Sequence, residues 1–191
     1  DDCIGDIAST MRVADSVCMI INGQHGAEVG TEIIWNYVER VTKPSVIAVN
    51  QIDSPNCDFD ESFKSIVDLV GSNAVKIQYP LVVDGAQCII DVLKMKMYKF
   101  GPEGGKPEKC EIPDDQKELA NKLQNELVEK AAENDEALME LYFDKGTLNE
   151  DEMREGIKKG MLNHELFPVF CLSALNDMGS GRLMGFIDNV A

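Results

Sequence analysis

The stretch "SVIAVNQID", residues 45–53, decides how this chain is read. It begins as a buried apolar run, the pattern of a strand covered on both faces in a parallel sheet. It then ends in an Asn, a long polar side chain, one more apolar residue and an Asp. Upstream, "SVCMIIN" (16–22) has the same nearly continuous apolar character. Between the two, "GQHGAE" turns the chain, and Val29, Ile33, Ile34, Tyr37 and Val41 recur at helical spacing until Pro44 stops them. Downstream, Phe59, Phe63, Ile66, Val67 and Val70 repeat that period, Gly71 supplies a C-terminal stop, and "AVKIQYPLVV" (74–83) reads as a third strand. The order β-α-β-α-β predicts an α/β fold with a mostly parallel sheet and right-handed crossovers.

The pattern changes after residue 83. "AQCIIDVLKMKMYKF" alternates through Leu93, Lys94, Met95, Lys96 and Met97, as a strand with one exposed face does. "GPEGGKP" is a turn and "EKCEI" a returning strand. From Pro113 to about Phe143 one long helical segment directs Leu119, Leu123, Leu127, Ala131, Leu138 and Leu141 to a core. Thr147 with Glu150 three residues on has the spacing of a capping box that opens another helix. "LFPVFCLSAL" (166–175) then restores the buried-strand pattern, and a helix around Leu183, Phe186, Ile187 and Val190 closes the chain. The expected organisation is an α/β unit over 1–83, an inserted α+β subdomain over 84–160, and a return to the first unit over 161–191.

Composition narrows the function. A net charge of -16 and a pI near 4.4 oppose binding to phosphate backbones, which depends on Lys and Arg displacing counterions. The six cysteines include no C-x-x-C pair, and only His25 and His164 are available to join them, so a zinc site is not expected. Several cysteines lie in apolar strand-like runs, which fits free thiols in a reducing cytoplasm. No signal peptide or spanning run is visible.

The chemistry lies at two strand ends. An ionised carboxylate offers adjacent acceptors, and guanine presents two donors side by side, its N1 hydrogen and its exocyclic amino group. Asp53 is placed to take both. Adenine leaves that carboxylate unpaired, at a cost of about 1–3 kcal/mol or more. Asn50, a donor and acceptor, suits a bridge between the base edge and neighbouring loops, and the aliphatic stem of Gln51 suits the purine face. At the second strand end, Ser173 is expected to hold Asp53, and the Ala174 N–H to donate to the guanine O6. N-x-x-D alone after a strand is more often a turn. Two such endings on successive buried strands, at the carboxyl edge where α/β sheets collect ligands, favour a guanine site.

"MRVAD", "GAEVGTEIIWNYVER", "VNQIDSPNCDFD", "IDVLKMKMY" and "LFPVFCLSAL" together resemble, in order and spacing, the bacterial elongation factor G family of translational GTPases, over essentially the whole chain. The resemblance implies part of a P-loop NTPase fold, a G domain carrying an inserted subdomain. It places Asn50, Gln51 and Asp53 in the family's N-K-x-D motif, and Ser173, Ala174 and Leu175 in its S-A-L/K motif. Gln51 stands where the family usually has Lys; it keeps part of the stem and loses the charge. The sequence contains no G-x-x-x-x-G-K-[ST] loop and no D-x-P-G motif. The absence of an initiator Met and of these elements reads as a chain cut just after them, unable to hydrolyse GTP alone, with the Mg²⁺ ligands lying outside it. No catalytic or metal-binding residue is assigned to this chain.

The resemblance also implies GTP or GDP as ligand, the ribosome as partner, and a ribosomal stalk protein received by the inserted subdomain. The acidic helix bearing Glu118, Glu126, Glu129, Glu133 and Glu136 is by composition a solvated face, and by resemblance a stalk contact. Lys94 and Lys96 read as the solvent face of a strand, His25 as an exposed turn residue, and Trp35 as core or interface. Two other functions stay open: a non-catalytic ribosome- or stalk-binding module, and another ribosome-bound GTPase such as a ribosomal protection protein or release factor 3.

Overall fold

A computed structural model describes residues 3–190. Four parallel strands form the first sheet, in the order β1 (Val17–Asn22), β2 (Ser45–Asn50), β8 (Phe167–Cys171), β3 (Ala74–Lys76). Every residue of β8 is buried, as are the first five of β2, because these strands lie at the centre of the sheet. This is the outcome expected of uninterrupted apolar runs. Among the described residues β1 pairs with β2 alone, and Met19 and Ile21 are buried while Cys18 and Ile20 are exposed, so one face of β1 is covered there and the other is not.

The remaining strands, β4 (Gln78–Val83), β5 (Ala86–Asp91), β6 (Lys96–Lys99) and β7 (Glu108–Cys110), form an antiparallel meander. The run expected as one strand over 74–83 is thus two strands in different sheets. Fully buried Ile77 is the junction: its N–H donates to Val169 O in the parallel sheet, and its carbonyl accepts from Val92 N in the antiparallel part, both at 2.9 Å. The antiparallel sheet therefore takes in Gln78–Val83, a stretch read from sequence with the α/β unit.

The alternating segment at 86–100 is a hairpin rather than one strand. The Asp91 carboxylate accepts the Lys94 N–H at 2.9 Å and Met95 adopts φ 49°, which turns the chain without glycine. Lys94 therefore lies in the turn, while Lys96 starts β6 and pairs with Glu111.

The helices are α1 (Ile4–Val13), α2 (Val29–Val41), α3 (Phe59–Val70), α4 (Asp114–Ala132), α5 (Glu136–Lys145), α6 (Glu150–Leu162) and α7 (Ser180–Asn189). Trp35 of α2 is core, 2% exposed, with its ring edge-on to Phe167 of β8 at 4.8 Å. The helix expected over 113–143 breaks into α4 and α5, because Asp135 caps a new start through the Leu138 N–H at 3.0 Å. Leu127, Ala131 and Leu138 are buried as expected, whereas Leu119 is 45% exposed.

The capping box of α6 lies two residues beyond the expected Thr147 and Glu150. Asn149 accepts the Glu152 N–H at 2.9 Å and Glu152 accepts the Asn149 N–H at 2.8 Å. Buried Leu148 and Met153 occupy the positions of a hydrophobic staple around this cap, which selects it over the alternative register.

No helix among the described residues is long and apolar enough to cross a membrane. The six cysteines are free thiols; Cys88 and Cys171 are buried. Burial pushes the Cys171 thiol well above its ordinary range, with Cys57 and Asp91 adding to the effect.

Candidate functional site

The carboxyl ends of β1, β2 and β8 meet at one corner of the parallel sheet. Asn22 and Asn50 lie side by side in register, and the Leu172 N–H donates to Val49 O at 2.9 Å, carrying β8 alongside β2. Buried Ile52 anchors the loop after β2, and its N–H reaches Leu172 O at 3.3 Å. One apolar residue inside a polar turn thus fixes how its neighbours project.

Asn50 joins all three strand ends. Its carbonyl accepts the Gly23 N–H at 2.9 Å, and its side-chain Oδ1 accepts the Ala174 N–H at 2.9 Å. These bonds reach the two neighbouring loops. The Ala174 N–H is engaged by Asn50, so its donation to a base oxygen requires that bond to be shared or exchanged.

Gln51 takes the left-handed conformation, φ 69°, and its Oε1 accepts from Gln24 Nε2 at 2.9 Å. Asp53 is half-buried, and its Oδ2 accepts from Asn176 Nδ2 at 3.1 Å. Ser173 is fully buried, and its Oγ accepts the Asn176 N–H at 3.3 Å. The link between Ser173 and Asp53 therefore runs through Asn176. Leu175 is 89% exposed and His25 is also exposed.

Three participating residues were not legible as such in the sequence: Gly23, Gln24 and Asn176. The first two follow β1 in the "NGQHG" turn, and the parallel neighbour of β2 was their signal. A Cβ on Gly23 would come within 2.6 Å of Cys57 Sγ and 2.8 Å of Asn50 O, so only glycine lets this turn approach the end of β2. Cys57, packed under the same corner, has its thiol pKa raised by burial and by the charges of Asp58 and Asp53.

Beside the loop after β8, a cavity of about 400 Å³ opens between the antiparallel sheet and the start of α7, bordered by Gln78, Tyr98, Lys106, Asp177 and Arg182. Arg182 Nε donates to the fully buried Asp91 at 2.6 Å, joining α7 to the antiparallel sheet. Among the described residues, no group of three or more His, Cys, Asp or Glu is arranged to hold a metal.

A parallel sheet with polar residues converging at its carboxyl edge, plus an antiparallel sheet inserted before its last strand, defines an α/β nucleotide-binding domain of the G-domain kind. Residues 2–191 match the elongation factor Tu GTP binding domain, and the chain belongs to that family of translational GTPases. Its fold is similar to that of the crystal structure of ttk003000868 from Thermus thermophilus, with a TM-score of 0.88 and 24% identity. That likeness covers 99% of this chain and 28% of the other, so the chain spans about a quarter of the length of the protein it matches.

Proposed function

We propose that this chain is the base-recognising part of the GTP-binding domain of an elongation-factor-G-like GTPase that promotes ribosomal translocation. The observation that carries this reading is the convergence of Asn50 and Asp53 with Ser173, Ala174 and Asn176 at one sheet corner, across more than 120 residues of sequence. Asp53 accepts the guanine N1 hydrogen and exocyclic amino group. Asn50 holds the two loops together beside the base, and the stem of Gln51 covers a ring face. Ser173, Ala174 and Leu175 form the second loop of the pocket.

In this reading residues 1–83 and 161–191 belong to the GTP-binding core and residues 84–160 to the insertion, with the change of sheet already made at Gln78. Mg²⁺ and the γ-phosphate are handled by residues of the parent protein outside this chain, and hydrolysis there releases ordered switch segments. The protein acts in the cytoplasm on the ribosome, and the exposed acid-rich face of α4 and α5 receives the ribosomal stalk protein. The net charge of -16 supports protein contacts over direct nucleic-acid binding.

Asp53→Asn in the full-length protein tests the site. An amide offers xanthine the donor that its extra carbonyl needs, so GDP affinity should fall about 10- to 100-fold while xanthosine diphosphate affinity rises. Unchanged discrimination between the two removes Asp53 from the pocket. The competing reading, a stalk-binding module with a drifted pocket, predicts no nucleotide binding by either protein.

A further inference from the structure

Asn176 belongs to both halves of the molecule. Its side-chain Nδ2 donates to Asp53 Oδ2 at 3.1 Å, and its backbone N–H to Ser173 Oγ at 3.3 Å. Its carbonyl accepts the Gly105 N–H at 3.2 Å, from the loop that joins β6 to β7 in the antiparallel sheet. We propose that Asn176 is a positioning residue that holds Asp53 for base recognition, and that the loop of residues 101–107 sets Asn176 in turn. The proposal rests on the guanine-site reading above and names what holds and regulates that site.

The chemistry suits the role. A carboxylate has about four lone-pair positions, so one neutral donor fixes its rotation and leaves room for two donors from a base. An amide achieves this without neutralising the charge, whereas a lysine at this position would compete with the ligand for it. Asn176 is half-buried, and its backbone is tied on one side to fully buried Ser173, so its side chain has a fixed origin.

The other side is equally constrained. Gly104 has φ 71°, and a Cβ there would lie 1.5 Å from Asn176 O. Its N–H closes a turn onto Gly101 O at 2.9 Å. No side chain fits between these two backbones. The loop therefore abuts Asn176 directly, and movement of the antiparallel sheet reaches Asp53 through one residue. By linkage, a partner that displaces this loop weakens nucleotide binding, and nucleotide weakens that partner's binding by the same factor.

The test is calorimetric titration of GDP and xanthosine diphosphate into the full-length protein carrying Asp53→Asn, Asn176→Ala, both, or Gly104→Ala. Asn176→Ala is expected to weaken GDP binding about tenfold, and to have little further effect once Asp53 is Asn. Gly104→Ala is expected to reproduce the loss without altering any side chain at the pocket. A merely structural role for Asn176 gives losses that add in the double variant. If Asp53→Asn leaves the GDP preference intact, the guanine-site reading fails first. If Asp53→Asn switches the preference while Asn176→Ala and Gly104→Ala stay within twofold of the parent, the positioning role is overturned. Where Asn176→Ala does not fold, Asn176→Ser with Gly104→Ala decides the same point.

Discussion

Arg182→Ala should be among the most damaging single changes to the packing of this chain. Asp91 is 0% exposed and has two donors, Arg182 Nε at 2.6 Å and the Lys94 N–H at 2.9 Å. Removing the guanidinium leaves a buried carboxylate with one backbone donor, a situation that costs about 3–5 kcal/mol. An exposed ion pair would cost about 0–1 kcal/mol, so the two cases are well separated. For a protein of this size each kcal/mol moves the thermal midpoint by about 2–4 °C, giving a drop of about 6–20 °C. The damage should fall on the packing of α7 against the antiparallel sheet, because the pair ties β5 to α7. Urea unfolding followed by circular dichroism measures the loss, and Asp91→Asn combined with Arg182→Leu should recover much of it by removing the stranded charge. A loss below about 1 kcal/mol for Arg182→Ala, or no recovery in the double variant, refutes the reasoning.

Two further outcomes follow from local geometry. Gly23→Ala pushes a methyl group into Cys57 Sγ and Asn50 O, so stability should fall by about 1–3 kcal/mol and GDP affinity with it; unchanged binding would detach the β1 turn from the pocket. Burial, together with the charge of Asp115, pushes the Tyr79 hydroxyl up from 10.0 to about 12. The folded state holds this proton longer than the unfolded chain, so the stability it contributes is complete below about pH 10 and is lost as pH rises towards 12. Tyr79→Phe should flatten that part of the profile, as urea midpoints at pH 9 and 11 will show; a slope equal to the parent's contradicts it.

The legible parts of the fold were those where one local signal had one structural meaning. β2 and β8 are central strands, and their apolar runs are buried on both faces. β1 carries nearly the same composition, yet among the described residues β2 is its one neighbour in the sheet, because sequence records apolarity and not which neighbour covers it. The junction at Ile77 contains no Gly or Pro, and the chain changes sheets there while remaining extended and hydrogen-bonded on both sides. The turn at Lys94 was hidden for a related reason: Asp91, the residue that closes it, reads locally as part of an alternating strand. The α4 to α5 break had a signal in Asn134 and Asp135, which the surrounding leucine period masked.

At the candidate site the sequence pattern pointed to Asn50 and Asp53, because the first ends the recognisable strand β2 and the second lies in the loop just after it. Asn176 lies 123 residues from Asp53 and carries no pattern of its own, so its contact with that carboxylate exists only through the fold. The hydrogen bonds of Ser173 and Ala174 were hidden for the same reason. Their partners, the Asn176 N–H and Asn50 Oδ1, depend on how two loops from distant segments meet.

The most direct measurement is a calorimetric titration of GDP, with ADP as control, into the full-length protein. Saturable binding of GDP with no detectable binding of ADP is the predicted result, with Gln51 in place of the usual lysine. Binding of neither nucleotide, or of both alike, contradicts the assignment of this sheet corner to guanine recognition.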